Sequence, residues 1–155
     1  MEYLESAKED PEGGCVFCGM LDRPDDDPEV WILTRSPLAF VTLAKYPYNP
    51  GHLLVLPVRH TSDLEDLRPD ENAEINLLLQ RCLAALREES APQGFNVGLN
   101  LGRVAGAGIP EHVHWHVVPR WGGDTNFMPV LGQTRVLPQL LGETYGRLRP
   151  RFERG

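Results

Sequence analysis

The segment His112-Val113-His114-Trp115-His116 constrains this chain more than any other. It sets three of the chain's five histidines at alternate positions, and Val117 and Val118 follow. Side chains on a strand point to opposite faces with a period of two, so a strand here lines up all three imidazoles on one face, roughly 7 Å apart. A solvated strand face has no need of histidine, because Lys, Thr or Glu would serve equally well. The row therefore reads as chemistry: a metal site, or a nucleophile flanked by proton donors and orienting groups.

The 155 residues are enough for one domain with a sizeable core. No apolar run approaches the ~20 residues of a membrane span. The stretch from Met1 to Pro11 is acidic and polar, unlike a signal peptide. These features point to the cytoplasm and away from membranes. The net charge of −7 excludes a general nucleic-acid binder, which needs a basic face. A small anion is still compatible with it, because backbone donors and one or two basic residues can hold phosphate. Three cysteines are an odd number and argue against a disulfide framework. Cys15 and Cys18 form a C-x-x-C, whereas Cys82 falls on an apolar helix face and reads as a small core residue.

The organisation follows from periodicity and turn signals. Residues 1–29, with Gly13-Gly14, Pro24, Pro28 and Asp25-Asp26-Asp27, read as a loosely structured arm. Val30 to Thr34 and Leu38 to Leu43 are β-prone runs split by Ser36-Pro37. The rigid turn Tyr46-Pro-Tyr-Asn-Pro-Gly51 leads into a buried strand, His52 to Pro57. Ser62-Asp-Leu-Glu65 fits a capping box for a short helix over 62–67. A long helix is expected over 70–89, with Asp70 as N-cap. Its apolar stripe is Ile75, Leu78, Leu79, Cys82, Leu83 and Leu86. Phe95 to Asn100 and 112–118 supply two more strands, separated by a Gly-rich loop at 102–108. Residues 134–149 are weakly helical, and the basic end, 150–155, reads as a frayed tail. This pattern implies an α+β fold: a five-stranded antiparallel sheet with one long and one short helix.

A neutral imidazole attacks phosphoryl groups well, provided its other ring nitrogen donates to something fixed. Charge developing on the phosphate must meet preorganised donors, which the 102–108 loop and Arg103 could supply. The sequence resembles the histidine-triad (HIT) superfamily, whose signature is H-x-H-x-H with flanking apolar residues. Asn49-Pro-Gly-His52-Leu-Leu-Val-Leu-Pro57, with His60 three residues on, is similar to the family's upstream strand. The resemblance covers roughly residues 30–145, so the HIT domain is taken as 30–149. More finely, Tyr46 to His52, Gly94 to Gly102 and Val118 to Asp124 resemble the bacterial diadenosine tetraphosphate phosphorylases and related hydrolases.

The resemblance implies that His114 is the nucleophile at the α-phosphate of an adenosine nucleotide, with dinucleoside polyphosphates the foremost substrates. It implies that His116 donates to the phosphate or the leaving-group oxygen and that His52 orients His114. Asn100 would lie near the ribose or phosphate. Many relatives carry a Ser, Thr or Gln before the triad. This chain has Gly106-Ala-Gly108-Ile-Pro-Glu111 there, with no hydroxyl, so either amides around Gly106 and Gly108 take over that contact or the preference between water and phosphate as acceptor differs. A lone C-x-x-C is short of the four ligands of a structural zinc site. Free thiols and a redox pair are its other readings. Zinc-bearing HIT proteins resemble this arrangement, which implies that Cys15, Cys18, His60 and His112 hold a structural Zn2+. A homodimer joined through the long helix and fourth strand is implied too. Two further classes stand beside the enzyme: a nucleotide-binding regulatory protein with little turnover, and a catalytic metal site in the histidine row.

Overall fold

The computed structural model describes residues 14–24, 27, 29–124 and 140–153. Its strands are β1 (Ile32–Arg35), β2 (Ala39–Leu43), β3 (Leu53–Pro57), β4 (Gly94–Leu99) and β5 (Trp115–Arg120); its helices are α1 (Val16–Leu21), α2 (Pro69–Ser90) and α3 (Leu141–Glu153). The strands make one antiparallel sheet in the order β1-β2-β3-β5-β4. The expected α+β architecture is thus present.

β2 (Ala-Phe-Val-Thr-Leu) and β3 (Leu-Leu-Val-Leu-Pro) are buried along their whole length. Such near-continuous apolar runs mean that both faces of the sheet are covered. On one face Val41, Leu43, Leu53, Val55 and Val117 pack with Ile75, Leu78, Cys82 and Leu86 of α2 and with Leu148 and Phe152 of α3. Trp115 joins this face, opposite its histidine neighbours. On the other face Phe40, Ala44, Leu54 and Leu56 meet Phe17 of α1, with Val30 and Ile32. Cys82 is a buried core residue, as its place on the helix stripe implies.

Several boundaries differ from expectation. α2 starts after Arg68, with Pro69 at its first position. Asp70 therefore lies inside the first turn, and the cap is made by Glu71, whose carboxylate accepts from Arg68 N at 2.9 Å. Glu71 is fully buried and clasped by Arg59 through two bonds of 2.9 and 2.8 Å, and that guanidinium holds its carboxyl down to about 2. The short helix over 62–67 is only a 3-10 turn at Leu64–Asp66. Ser62 does not cap it, because its hydroxyl bonds the Asp63 carboxylate instead.

The frayed tail is a helix as far as Glu153. Phe152 is buried, and Arg151 pairs with Glu88 and Glu89 of α2. The basic run thus clamps α3 to an acidic edge of α2. The portion 134–139 of the weakly helical stretch lies outside the described residues, as do 1–13 of the arm. Residues 25, 26 and 28 also lie outside the described residues; within the described part of the arm, α1 is helical and docks on the sheet through Phe17. The Arg35 guanidinium donates to the carbonyls of Leu21 and Arg23 at the end of α1, at 2.9 and 3.0 Å.

Candidate active site and metal-binding cluster

The histidine strand starts later than its alternation implies. Pairing of β5 with β3 and with β4 begins at Trp115, opposite Val55 and Leu99. His112 to His114 form an unpaired lead-in whose Val113 amide donates to Thr61 O at 2.7 Å. Phe17 of α1 nonetheless touches the His112 and His114 rings, and His114 meets His116 at 5.0 Å between centroids.

Each ring's role is set by the partner of one nitrogen. A carbonyl only accepts, so His112 Nε2–H donates to Pro57 O at 2.9 Å, and His112 Nδ1 carries the lone pair. By the same argument His114 Nδ1–H donates to His112 O at 2.8 Å, leaving a lone pair on His114 Nε2. His52 Nδ1 accepts the Tyr48 amide at 3.0 Å, so its proton sits on Nε2, which meets His116 Nδ1 at 2.9 Å. His116 then presents Nε2–H as a donor. That atom is buried and has no hydrogen-bond partner among the described residues. An orphaned buried donor costs about 1–3 kcal/mol unless something accepts from it.

Burial lowers the proton affinity of His112 and His114, and burial with the adjacent His114 takes His116 down to about 4. All three are neutral at pH 7, as the tautomers above require. His52 thus makes its ring-to-ring bond to His116, where the resemblance implied a role toward His114. Its place before β3 depends on Gly51, at φ +79, where a Cβ would meet Leu86 Cδ2 at 3.0 Å. Tyr48 stacks on both His52 and His116, with ring centroids 4.8 and 5.7 Å apart.

The loop before the triad contributes less backbone than expected. The Gly106 amide donates to Arg103 O at 3.0 Å, and those of Ala105 and Ala107 return to Gly102 O. Gly106 is therefore a turn residue, at φ +96, and its amide is already engaged. Asn100 Nδ2 donates to Gly106 O at 3.4 Å. The β4–β5 register, continued by one residue, sets Asn100 opposite His114. Arg103 is exposed at the start of the 3-10 turn Arg103–Ala105. Arg120 forks onto Asp124 at 2.6 and 2.8 Å and reaches Asn96. Trp121 lines a cleft of about 400 Å³ on the helix face with Leu86, Arg147 and Leu148.

The second cluster joins distant segments. One ligand atom from each of Cys15, Cys18, His60 and His112 lies within 4.8 Å of the others. His112 Nδ1 faces Cys15 Sγ at 3.4 Å and Cys18 Sγ at 3.7 Å, and His60 Nδ1 meets Cys18 Sγ at 3.4 Å. Two thiols and two imidazoles converging on one point are a tetrahedral donor set. The His112–Pro57 bond fits a metal as well, since it frees Nδ1 and fixes the ring from behind. Burial and the neighbouring Cys15 push Cys18 up to about 11, a balance that a bound cation reverses by stabilising thiolate.

The Pro57 carbonyl carries no sequence signal, and Phe17 and Tyr48 are hinted at only by their places inside Cys15-Val-Phe-Cys18 and the Pro-rich turn.

A sheet of this order with an H-x-H-x-H row beside it defines the histidine-triad class. The HIT domain profile matches residues 28–123, and the chain belongs to the HIT family. It is 50% identical over 118 residues to AP-4-A phosphorylase of Mycobacterium tuberculosis, a match covering 76% of this chain and 60% of that protein. The chain thus spans about three fifths of that relative's length. It is 33% identical over 96 residues to the asymmetrical bis(5'-nucleosyl)-tetraphosphatase of Schizosaccharomyces pombe, covering 62% of this chain and 51% of that one. Among solved structures, a Zn-bound histidine triad family protein from Mycobacterium smegmatis superposes with a TM-score of 0.71 at 29% identity, covering 90% of this chain and 94% of its own.

Proposed function

We propose that the protein cleaves dinucleoside polyphosphates such as diadenosine tetraphosphate at an α-phosphate, through a nucleotide held covalently on His114. The observation that carries this reading is the pair of opposite tautomers: a lone pair on His114 Nε2 beside a proton on His116 Nε2. His114 Nε2 attacks phosphorus, a P–N bond forms and the P–O bond to the leaving nucleotide breaks. His116 Nε2–H donates to an oxygen of that phosphate or leaving group. Water or inorganic phosphate then attacks the same phosphorus, breaks the P–N bond and returns the lone pair to His114. Asn100, Arg103 and Gly108 are the groups assigned to the ribose and phosphate side. The 50% identical AP-4-A phosphorylase supports phosphate as the acceptor.

Cys15, Cys18, His60 and His112 would hold a zinc ion. With all four positions filled by protein, it is structural and ties α1 to the triad. The Zn-bound neighbour supports this assignment. A cytoplasmic homodimer completes the reading: among the described residues β4 is an outer strand of the sheet and carries the exposed Val97, and α2 carries the exposed Leu77.

The test is product analysis with diadenosine tetraphosphate, with and without inorganic phosphate. ADP and ATP formed only with phosphate establish a phosphorylase; AMP and ATP formed regardless of phosphate establish a hydrolase. Absence of turnover under both conditions overturns the enzymatic reading in favour of a nucleotide-binding regulator.

A further inference from the structure

Phe17 occupies a place that neither half of the site explains alone. It lies between Cys15 and Cys18 in sequence, on the six-residue helix α1 whose N-cap is Cys15. Its ring is 5% exposed and belongs to the small core with Phe40, Leu54 and Leu56. It also touches two triad rings: His112 edge-on at 5.6 Å and 81°, and His114 at 5.2 Å and 55°. Both distances lie within the range where aromatic rings attract each other.

His114 needs such a neighbour. Among the described residues its one hydrogen bond runs from Nδ1–H to its own chain two residues back, and one hydrogen bond leaves an imidazole free to rock about that contact. Nucleophilic attack requires the Nε2 lone pair to be aligned, and small misplacements of a reacting atom cost much of the rate. The rings that touch His114 are His116, at 5.0 Å, and Phe17. His116 is itself committed to His52 and to its own donor task. Phe17 is the neighbour with no other chemistry to perform.

We propose that Phe17 is a positioning residue for His114, and that closure of the Cys15–Cys18 cluster seats it there. The metal-binding cluster thus acts on the nucleophile by two routes, the His112 carbonyl and the Phe17 ring. This inference rests on the reading of His114 as nucleophile.

The test uses the zinc-loaded full chain and two core variants, Phe17→Leu and Phe40→Leu. Phe40 is in the same core and fully buried, so it reports the cost of losing a ring there in general. Three quantities are read: bound zinc and thermal midpoint, the ring ¹⁵N signals of His114, and kcat and KM separately. Both variants should keep zinc and melt alike. Only Phe17→Leu should convert His114 from one fixed Nδ1–H tautomer to an exchanging pair, with kcat down about tenfold and KM within about twofold. If Phe17→Leu leaves the His114 signals and kcat as Phe40→Leu does, Phe17 is merely core filling and the proposal falls. If the wild type turns over no nucleotide, the proposed function fails, while the ring signals still decide the role of Phe17.

Discussion

Two pairs of histidines span the same gap, each joining the β3 region to the triad, and they are put to opposite uses. His60 and His112 lie with ring centroids 5.2 Å apart, His52 and His116 5.1 Å apart. In the first pair both Nδ1 atoms turn toward thiols, so lone pairs converge. In the second the rings bond each other directly, and a proton is pushed outward to His116 Nε2. Spacing is shared and outcome is not. What differs is the far nitrogen: the Pro57 carbonyl leaves the His112 Nδ1 lone pair facing the thiols, whereas the Tyr48 amide turns His52 into a donor. An imidazole's role here is decided by backbone on its blind side.

That contrast can be broken most violently between the pairs, at His114. His114→Asn should lower turnover by about 10³-fold or more, because no lone pair remains to form the P–N bond. Calorimetry with AMP should find binding retained, and intact-protein mass spectrometry should find no nucleotide adduct. Unchanged turnover would remove the nucleophile assignment altogether.

Within the donor pair, His116→Asn should cost about 10²-fold in kcat as a lost proton donor. His52→Asn, acting one ring further back, should cost about tenfold. A double variant no worse than His116→Asn alone would show that His52 works only through His116; additive losses would separate them.

In the ligand pair, Cys18→Ser should abolish stoichiometric zinc, read by elemental analysis. It should also lower the thermal midpoint by several degrees, on the order of 1–3 kcal/mol. Activity should fall with it. Chelation that removes activity without lowering stability would instead identify a catalytic metal.

A further effect is in acid. His116 keeps its ring neutral down to about 4, against the usual 6.5. Between these values the unfolded chain takes up a proton that the folded chain refuses, so stability falls as pH drops from 6.5 toward 4. His116→Asn should flatten that part of a urea-denaturation pH series, with stability at pH 7 and above compared separately. An unaltered slope would mean that the ring is not held neutral by its surroundings.

The sequence makes some of this legible and hides the rest for physical reasons. Strand identity was readable because β2 and β3 are continuous apolar runs, and the α2 stripe because Ile75, Leu78, Cys82 and Leu86 recur at helical spacing. The four residues of the thiol cluster were nameable through the resemblance to zinc-bearing HIT proteins, since a C-x-x-C by itself falls two ligands short. Hydrogen-bond direction was not readable: that His52 serves His116 depends on a backbone amide at Tyr48, which has no residue-type signature. Nor was the order of the C-terminal end, since the Arg151 contacts with Glu88 and Glu89 join segments far apart in sequence.

The late start of β5 carries a lesson for anyone who would transplant this motif. Alternation alone fits an ordinary paired strand, yet in this molecule the ladder stops at Trp115 and the His112 carbonyl is left to receive His114 Nδ1–H. In a fully laddered strand that oxygen could be claimed by a neighbour. A graft of the five residues into the middle of a sheet would reproduce the rings and their spacing. It would forfeit the acceptor that decides which nitrogen of His114 keeps its lone pair. The portable unit is therefore larger than the motif: three histidines together with the place where the sheet lets go of them.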